Sequence, residues 1–498
     1  MQHKTKPNRD KEMAQRIAQA VKEHGGQTFH VGGMVRDELL GRENKDIDIE
    51  IHGIEFATLK DILTNLGSLD ERKVGDHFGI LALKGYDLDI AMPRSEAPSG
   101  EGGHKDFIIE TDPFIGLENA CKRRDFTINA MMKDVLTGEI HDYFGGLEDL
   151  KNGIIRHVDD KTFGDDPLRV LRAAQFAARF DFQIADNTVE LAKTMDLTKL
   201  SRERIMGELD KALLKSDKPS VFFDELRKMD HLSYWFPEVE AMIGVQQDPS
   251  HHPEGDVYTH SRMVLDQAAK ARHEASNPRY FMVAALCHDF GKPESTGFNE
   301  AKGKWQSLGH DKAGVDVART FVNRVYHENH VTSYVANMTA LHMKPMHLLN
   351  NSSSDKKYRA LYDRSICPED LILLTRCDHL GRGDAPPFDK SEQKLRAQLD
   401  DYYQVMSRPY VRGEDLLKLG YEQGPQFKEI LTYAHKCRLS AVDKDKTLLH
   451  ILGQFHDPNV DVASRKAELN AIMRCMTNAA NLPDSQPNNE SNFDMSTA

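Results

Sequence analysis

Residues 29–51, FHVGGMVRDELLGRENKDIDIEI, constrain this chain more than any other stretch. The apolar run FHV meets Gly32 and Gly33, and VRDELLG then has the spacing of a helix start, so the order is strand, turn, helix. Glycines at such a turn let backbone N–H groups approach an anion, and a helix N-terminus adds a favourable partial charge, so a phosphate fits there. After Gly41 the chain turns again into KDIDIEI, where alternation puts Asp46, Asp48 and Glu50 on one face and Ile47, Ile49 and Ile51 on the other. Two carboxylates on a strand face beside a phosphate-binding turn suit one or two Mg²⁺ ions, which bridge triphosphate oxygens and activate an attacking hydroxyl. A bare DxD is also the pattern of a solvated edge strand. The GG-x-VRD string just upstream moves the reading to chemistry.

The combined string strongly resembles motif A of the class II CCA-adding tRNA nucleotidyltransferases and the related bacterial poly(A) polymerases, members of the polymerase-β-like superfamily. The resemblance implies that Asp46 and Asp48 hold the catalytic Mg²⁺ and that Gly32, Gly33 and Arg36 bind the nucleotide. ILALKGYDLDIAMPR reads as a hairpin in which Asp87 and Asp89 share a face, and Asp89 stands where relatives carry a third acid. The segment from Pro93 to about Asn119 reads as a long loop, and the resemblance makes it a lid over the nucleotide. KRRDFTINAMM is similar to motif B, which implies a nucleotide contact for Arg124. Read from its residues alone, it is a helix start with an acid near its N-terminus, followed by buried packing.

DDPLRVLRAAQFAARF reads as a helix starting after Asp165-Asp166, with Pro167 at its first position. Asp166 and Arg169 are three apart, the spacing of a plain i,i+3 ion pair. The resemblance implies instead that they pair with the incoming base and that Arg172, further along the same face, reaches phosphate or base. The chemistry is coherent. Cytosine and adenine present an amino donor beside a ring-nitrogen acceptor, whereas uracil and guanine present a carbonyl beside an N–H; Asp only accepts and Arg only donates. Each mismatch strands a buried polar group at about 1–3 kcal/mol. Gln175 stands where the family often has another Arg, and Asp165 where Glu is usual. LSRERIMGELDKALLK resembles motif E, with Arg204 and Glu208 read as an i,i+4 supporting pair.

A second constellation lies downstream in HHPEGDVYTHSRMVL, ALCHDFGK, SLGHDKAG and LLTRCDHLGRG. Its H…HD…D order on helical segments resembles the HD phosphohydrolase superfamily. That implies ligands at His260, His288, Asp289 and Asp378, with His310 and His342 as second-metal or substrate groups, around a divalent transition metal or Mg²⁺ that activates water against a phosphoester.

At 498 residues the chain is too long for one core. The expected class is α+β: a polymerase-β-like nucleotidyltransferase head over 1–150, then all-helical domains, namely a base-recognition neck over 151–245, an HD domain over 246–405 and a helical domain over 406–477. Residues 478–498 are polar and almost free of large apolar residues, which predicts disorder. The net charge of −13 opposes RNA binding by the body as a whole, but Lys122-Arg123-Arg124 and Arg169, Arg172 and Arg179 predict a local basic cleft. Six cysteines without a CxxC argue against a zinc ribbon or disulfide framework. The absence of a long apolar run or an apolar signal segment predicts a cytoplasmic protein without a membrane partner. The expected function is addition of CCA to the tRNA 3′ end from CTP and ATP, with an HD phosphatase or 2′,3′-cyclic phosphodiesterase alongside. The rivals are a poly(A) polymerase, a CC-only or A-only enzyme, an HD nucleotide phosphohydrolase and an RNA-binding scaffold.

Overall fold

The computed structural model describes residues 6–42, 47–70, 80–98, 107–457 and 460–480. Asp46 and the tail beyond Ala480 lie outside them. The chain forms two compact units, residues 1–342 with 373–387, and residues 343–372 with 388–498.

In the first unit, α1 (Lys6–Glu23) leads into β1 (Gln27–Val31), α2 (Gly33–Leu39), β2 (Ile47–His52), α3 (Phe56–Leu66), β3 (Ile80–Ala82) and β4 (Leu88–Ala91). The alternation expected of KDIDIEI holds. Ala14, Ile17, Ala18 and Val21 of α1 and Ile47, Ile49 and Ile51 of β2 are buried in one core with Leu59, Leu63, Leu88 and Ile90. The segment expected as a loop carries β5 (Arg94–Pro98) paired antiparallel with β6 (Phe107–Thr111), followed by α4 (Leu117–Lys122). FIIET is rich in β-branched and aromatic residues, which favour extended backbone and outweigh the Gly/Ser-rich stretch before it. β7 (Met132–Asp134) and β8 (Ile140–His141) complete a six-stranded sheet of order β3-β4-β2-β1-β7-β8, in which only the β2–β4 pair is parallel.

Helices follow: α5 (Gly146–Asn152), β9 (Ile154–Ile155), α6 (Asp160–Gly164), α7 (Leu168–Phe180), β10 (Gln183–Ile184), α8 (Asp186–Lys193), α9 (Arg202–Lys215), α10 (Ser220–Lys228), α11 (Leu232–Trp235) and α12 (Pro237–Ala241). The HD segment holds α13 (Val257–Ala271), α14 (Pro278–Cys287), α15 (Lys292–Ser295), the hairpin β11 (Thr296–Asn299) and β12 (Lys304–Ser307), α16 (His310–Val325) and α17 (Asn329–Leu341). The second unit comprises α18 (Lys344–Asn350), α19 (Asp355–Arg364), the start of α20 (Pro368–Leu380), α21 (Asp389–Ser407), α22 (Gly413–Leu419), α23 (Pro425–Leu439), α24 (Lys444–Gln454) and α25 (Val462–Ala480). Helices α18, α19 and α21 thus group with the C-terminal helices, although the sequence places them inside a 246–405 segment. Among the described residues no helix is long and apolar enough to cross a membrane.

Candidate active site and metal centre

Between β1 and α2 the backbone turns at Gly32, with φ +63° and ψ −131°, which strains any residue with a side chain. A Cβ there would also stand 3.2 Å from Nη1 of Arg124, so the glycine lets that guanidinium lie against the turn. Parallel pairing sets Asp48 of β2 in register with Asp89 of β4, and alternation turns both to the face opposite the isoleucines. Asp48 is half-buried and Asp89 exposed. Glu50, on the same face of β2, is engaged otherwise. Its Oε2 accepts from Arg124 Nη2 at 3.0 Å and its Oε1 lies 2.9 Å from His52 Nε2. Burial works against its charge, but Arg124 and then His52 hold its carboxyl below the ordinary value. The two described acids of KDIDIEI therefore part company: Glu50 holds Arg124, while Asp48 lies in register with Asp89.

Arg36 is buried, at 3% exposure. Its Nε and Nη2 donate to Asp37 Oδ1 at 2.8 and 2.7 Å, its Nη1 donates to Asn129 Oδ1 at 2.6 Å, and its guanidinium lies over the rings of Phe176 and Phe180. Asn129 in turn donates to Asp125 Oδ1 at 2.9 Å, and Asp125 Oδ2 accepts from Arg172 Nε at 2.7 Å. A continuous buried polar network thus ties α2 to motif B and to α7. Such networks rigidify when every member is satisfied. Asp125 does not start an α-helix: α4 ends at Lys122, and Asp125 accepts from Phe126 N just before a 3₁₀ turn over Thr127–Asn129.

The i,i+3 ion pair between Asp166 and Arg169 does not form. Both oxygens of Asp166 accept from Arg204 Nη2, at 2.9 and 2.7 Å. Arg169 instead donates to the carbonyls of Thr162 and, at 2.7 Å, Arg123, fastening the start of α7 to the motif B loop. Arg204 therefore supports Asp166 rather than pairing with Glu208, whose Oε1 receives Lys211 at 2.8 Å and lies 3.8 Å from Arg172. A tertiary partner whose one Nη2 reaches both oxygens takes the place of the local pair. Gln175 is buried, and its Nε2 has no hydrogen-bond partner.

The second constellation assembles from five helices. His260 lies on α13, His288 and Asp289 follow the end of α14, His310 opens α16, His342 follows α17 and Asp378 lies on α20. All six are buried. Gly291 permits the approach: a Cβ there would sit 2.1 Å from the carbonyl oxygen of His310. The ligand atoms of His260, His288 and Asp378 lie within 4.8 Å of one another, as do those of Asp289, His310 and His342. Asp289 faces both groups. Its Oδ2 is 3.2 Å from His288 Nε2 and 3.7 Å from His260 Nε2, and its Oδ1 is 3.4 and 3.6 Å from Nε2 of His310 and His342.

Nδ1 of His288, His310 and His342 lies 2.7, 2.8 and 2.7 Å from the carbonyls of Ala285, Ser307 and Thr339. Carbonyls only accept, so Nδ1 carries the proton and Nε2 offers its lone pair to the centre. Nε2 of His310 and Nε2 of His342 are then 3.2 Å apart, and His288 Nε2 has no hydrogen-bond partner. Facing lone pairs at that distance require a cation or a shared proton between them. The surrounding acids pull in the same direction: burial alone would lower His260 and His342, yet Asp378 and Asp289 respectively raise them. These residues fit a divalent metal.

Three groups at this centre went unread in the sequence. Lys292 Nζ lies 2.7 Å from Asp289 Oδ2 and donates to Gln247 Oε1 at 2.7 Å. Glu254 Oε1 lies 2.7 Å from His260 Nδ1 and 2.8 Å from His252 Nδ1. Burial opposes the charge of Glu254, but hydrogen bonds with His252 and His260 bring its carboxyl down to about 2. The available signals were the three-residue step from Asp289 to Lys292 and the HHPE string six residues ahead of His260.

Residues 28–156 match the poly A polymerase head domain, residues 181–243 the probable RNA and SrmB-binding site of polymerase A, and residues 257–382 the HD domain. The multifunctional CCA protein of Actinobacillus pleuropneumoniae serotype 5b is 37% identical over 429 residues, covering 84% of this chain and 98% of that protein. The chain belongs to the multifunctional CCA protein family. The family member from Pasteurella multocida is 32% identical over 453 residues, 86% of this chain and 99% of that one. Two solved structures are similar in fold. The Thermotoga maritima CCA-adding enzyme complexed with tRNA has a TM-score of 0.58 at 20% identity, covering 91% of this chain and 97% of that one. A CCA-adding enzyme with ATP has a TM-score of 0.60 at 21% identity, covering 91% and 96%. In this member of the multifunctional CCA family, the head-domain match encloses Gly32, Asp48, Asp89 and Arg124, whereas Asp166 to Arg172 fall between matched segments. The HD match encloses all six of the converging residues and begins after His252 and Glu254.

Proposed function

We propose that this protein builds the C-C-A end of tRNA from CTP and ATP without a nucleic-acid template, and that its HD centre hydrolyses phosphoesters such as phosphates or 2′,3′-cyclic phosphates on damaged 3′ ends. The observation that carries the first part is the register of Asp48 with Asp89 beside the Gly32 turn, with Arg124 held over that turn by Glu50. Mg²⁺ held by Asp46 and Asp48, with Asp89 alongside, would supply charge neutralisation for the triphosphate and lower the pKa of the attacking hydroxyl. The terminal ribose oxygen bonds to the α-phosphorus, the bond from the α-phosphorus to the bridging oxygen breaks, and pyrophosphate leaves. Backbone N–H groups at Gly32 and Gly33 and the guanidinium of Arg124 orient the phosphates. Asp166, steadied by Arg204, and Arg169 read the amino and ring-nitrogen edge of C or A. Arg36 and Arg172, engaged by Asp37, Asn129 and Asp125, act as supports beneath these contacts.

At the HD centre, His260, His288, Asp289 and Asp378 would hold one metal, with Asp289, His310 and His342 facing a second. Imidazole-rich donors favour a transition metal over Mg²⁺. Bound there, it would supply an activated water. The division of labour follows the head, neck and HD segments, with boundaries near residues 150 and 245, and the HD segment gives way to the second unit after residue 342, apart from residues 373–387.

The deciding experiment is extension of tRNA ending at the discriminator base with single nucleotides. Two additions from CTP followed by one from ATP are expected. Continued incorporation of ATP would make it a poly(A) polymerase, and arrest after CC, or A addition alone, would make it a specialist.

A further inference from the structure

Of the four imidazoles at the HD centre, three follow one rule and one departs from it. His288, His310 and His342 sit at helix ends, and each places Nδ1 on the carbonyl of the residue three before it. His260 is inside α13, and the residue three before it, Val257, is the first of that helix, so its carbonyl belongs to the helix's own i,i+4 bonding. Its ring must be oriented by something else. The group in place is the carboxylate of Glu254, with Oε1 in ion-pair contact 2.7 Å from Nδ1, while Nε2 on the far side of the ring lies 3.1 Å from Asp378 Oδ1. Both side chains are essentially inaccessible, at 3% and 0% exposure.

The segment carrying Glu254 is well defined. Asp256 caps α13 by accepting from Thr259 N at 2.9 Å, and it also accepts from Gly244 N at 2.6 Å. Gly255, with φ +124°, makes the bend that sends Glu254 back toward α13. His252 holds the same Oε1 from the other side at 2.8 Å, with its ring edge-on to His260 at 4.8 Å between centroids.

We infer that Glu254, braced by His252, is the positioning residue of the HD centre: it accepts the Nδ1 proton of His260 and so turns the Nε2 lone pair toward Asp378, Asp289 and the metal. A carboxylate in this role does more than a carbonyl, because it also raises the basicity of the ligand nitrogen. The inference rests on the reading of the centre as a metal site. It goes beyond that reading in assigning to two residues outside the matched HD segment the control of one ligand's tautomer.

The test uses Zn²⁺ as the probe, with affinity measured on the full chain by competition with a chromophoric chelator. Glu254→Gln is expected to weaken Zn²⁺ by roughly tenfold to a hundredfold, the range for such outer partners, and His252→Asn by less. The thermal midpoint of the metal-free protein should stay unchanged, which a merely structural role would not predict. Equal Zn²⁺ affinity in wild type and Glu254→Gln overturns the inference while the metal centre stands. A wild type that binds no Zn²⁺ removes both. Should Glu254→Gln fail to fold, ¹⁵N-histidine spectra of the Zn²⁺-loaded wild type decide: His260, assigned by its loss in His260→Gln, is expected as the Nδ1–H tautomer, and ligation through Nδ1 overturns the proposal.

Discussion

The head-domain site and the HD centre both gather carboxylates, yet they are built in opposite ways. At the head-domain site, Asp48 is half-buried, Asp89 exposed, and the neighbouring Glu50 is occupied by Arg124. At the HD centre four imidazoles and two carboxylates are buried and converge, and the outer nitrogens of the imidazoles face carbonyls or Glu254. A site with few protein ligands open to water suits an ion that arrives with the triphosphate and leaves with pyrophosphate, as Mg²⁺ does. A closed shell of nitrogen and oxygen donors suits a resident ion whose binding energy adds to stability.

The sharpest way to break this contrast is to remove one ligand from each site. Asp48→Ala should reduce nucleotide addition on the order of a thousandfold, since charge stabilisation in the transition state is lost outright. Its thermal midpoint and Zn²⁺ content should not move. Persistent addition by this variant would take the chemistry away from the DxD strand.

The resident-ion half is tested by stripping. Chelation followed by desalting should lower the midpoint of the wild type by several degrees, because an ion at a hundred times its Kd contributes about 2.7 kcal/mol. In His288→Ala the response to chelator should vanish, together with metal-dependent hydrolysis of a 2′,3′-cyclic phosphate, while Asp48→Ala keeps both. A wild-type midpoint indifferent to chelator would show that the HD ion is as transient as the other.

A smaller effect belongs to base reading. Asp166→Ala should relax selection against UTP and GTP by about 1–3 kcal/mol, roughly tenfold to a hundredfold, and Arg169→Ala similarly. Because Arg204 holds both oxygens of Asp166, Arg204→Ala should relax selection in the same direction but less. If all three keep wild-type selectivity in single-nucleotide extension and lose only stability, these residues are braces and selection lies elsewhere.

The smallest effect separates the two regions by acid. His30 on β1 is held at about 4 by burial, and its Nδ1 has no hydrogen-bond partner. The unfolded chain therefore binds more protons than the folded one between pH 6.5 and 4, so this stability is present above 6.5 and is lost as pH falls through that window. His30→Gln should flatten the acid limb of head-domain unfolding there, measured as midpoint against pH, and leave Zn²⁺ release from the HD centre where it was. An unchanged acid limb would show that His30 does not set it.

By itself, the sequence determined what depends on short-range order. Alternation in KDIDIEI sorted the isoleucines from the acids, the Gly-Gly step marked a turn, and H…HD…D picked out four residues, with two more histidines, that the fold brings together. These are legible because strand and helix periods are fixed by backbone geometry. What the sequence could not say is which long-range partner each polar group would choose. Asp166 was three residues from Arg169 and took Arg204, thirty-eight away; Arg36 went inward to Asp37 and Asn129; Glu50, on the same face as Asp48, holds Arg124. Glu254 became the partner of His260 only because a positive-φ glycine and a capped helix start fold it back. A buried charge goes to the partner that best repays its desolvation, and in a chain of this length that partner is set by packing of elements far apart in sequence. Only the tertiary structure decides it.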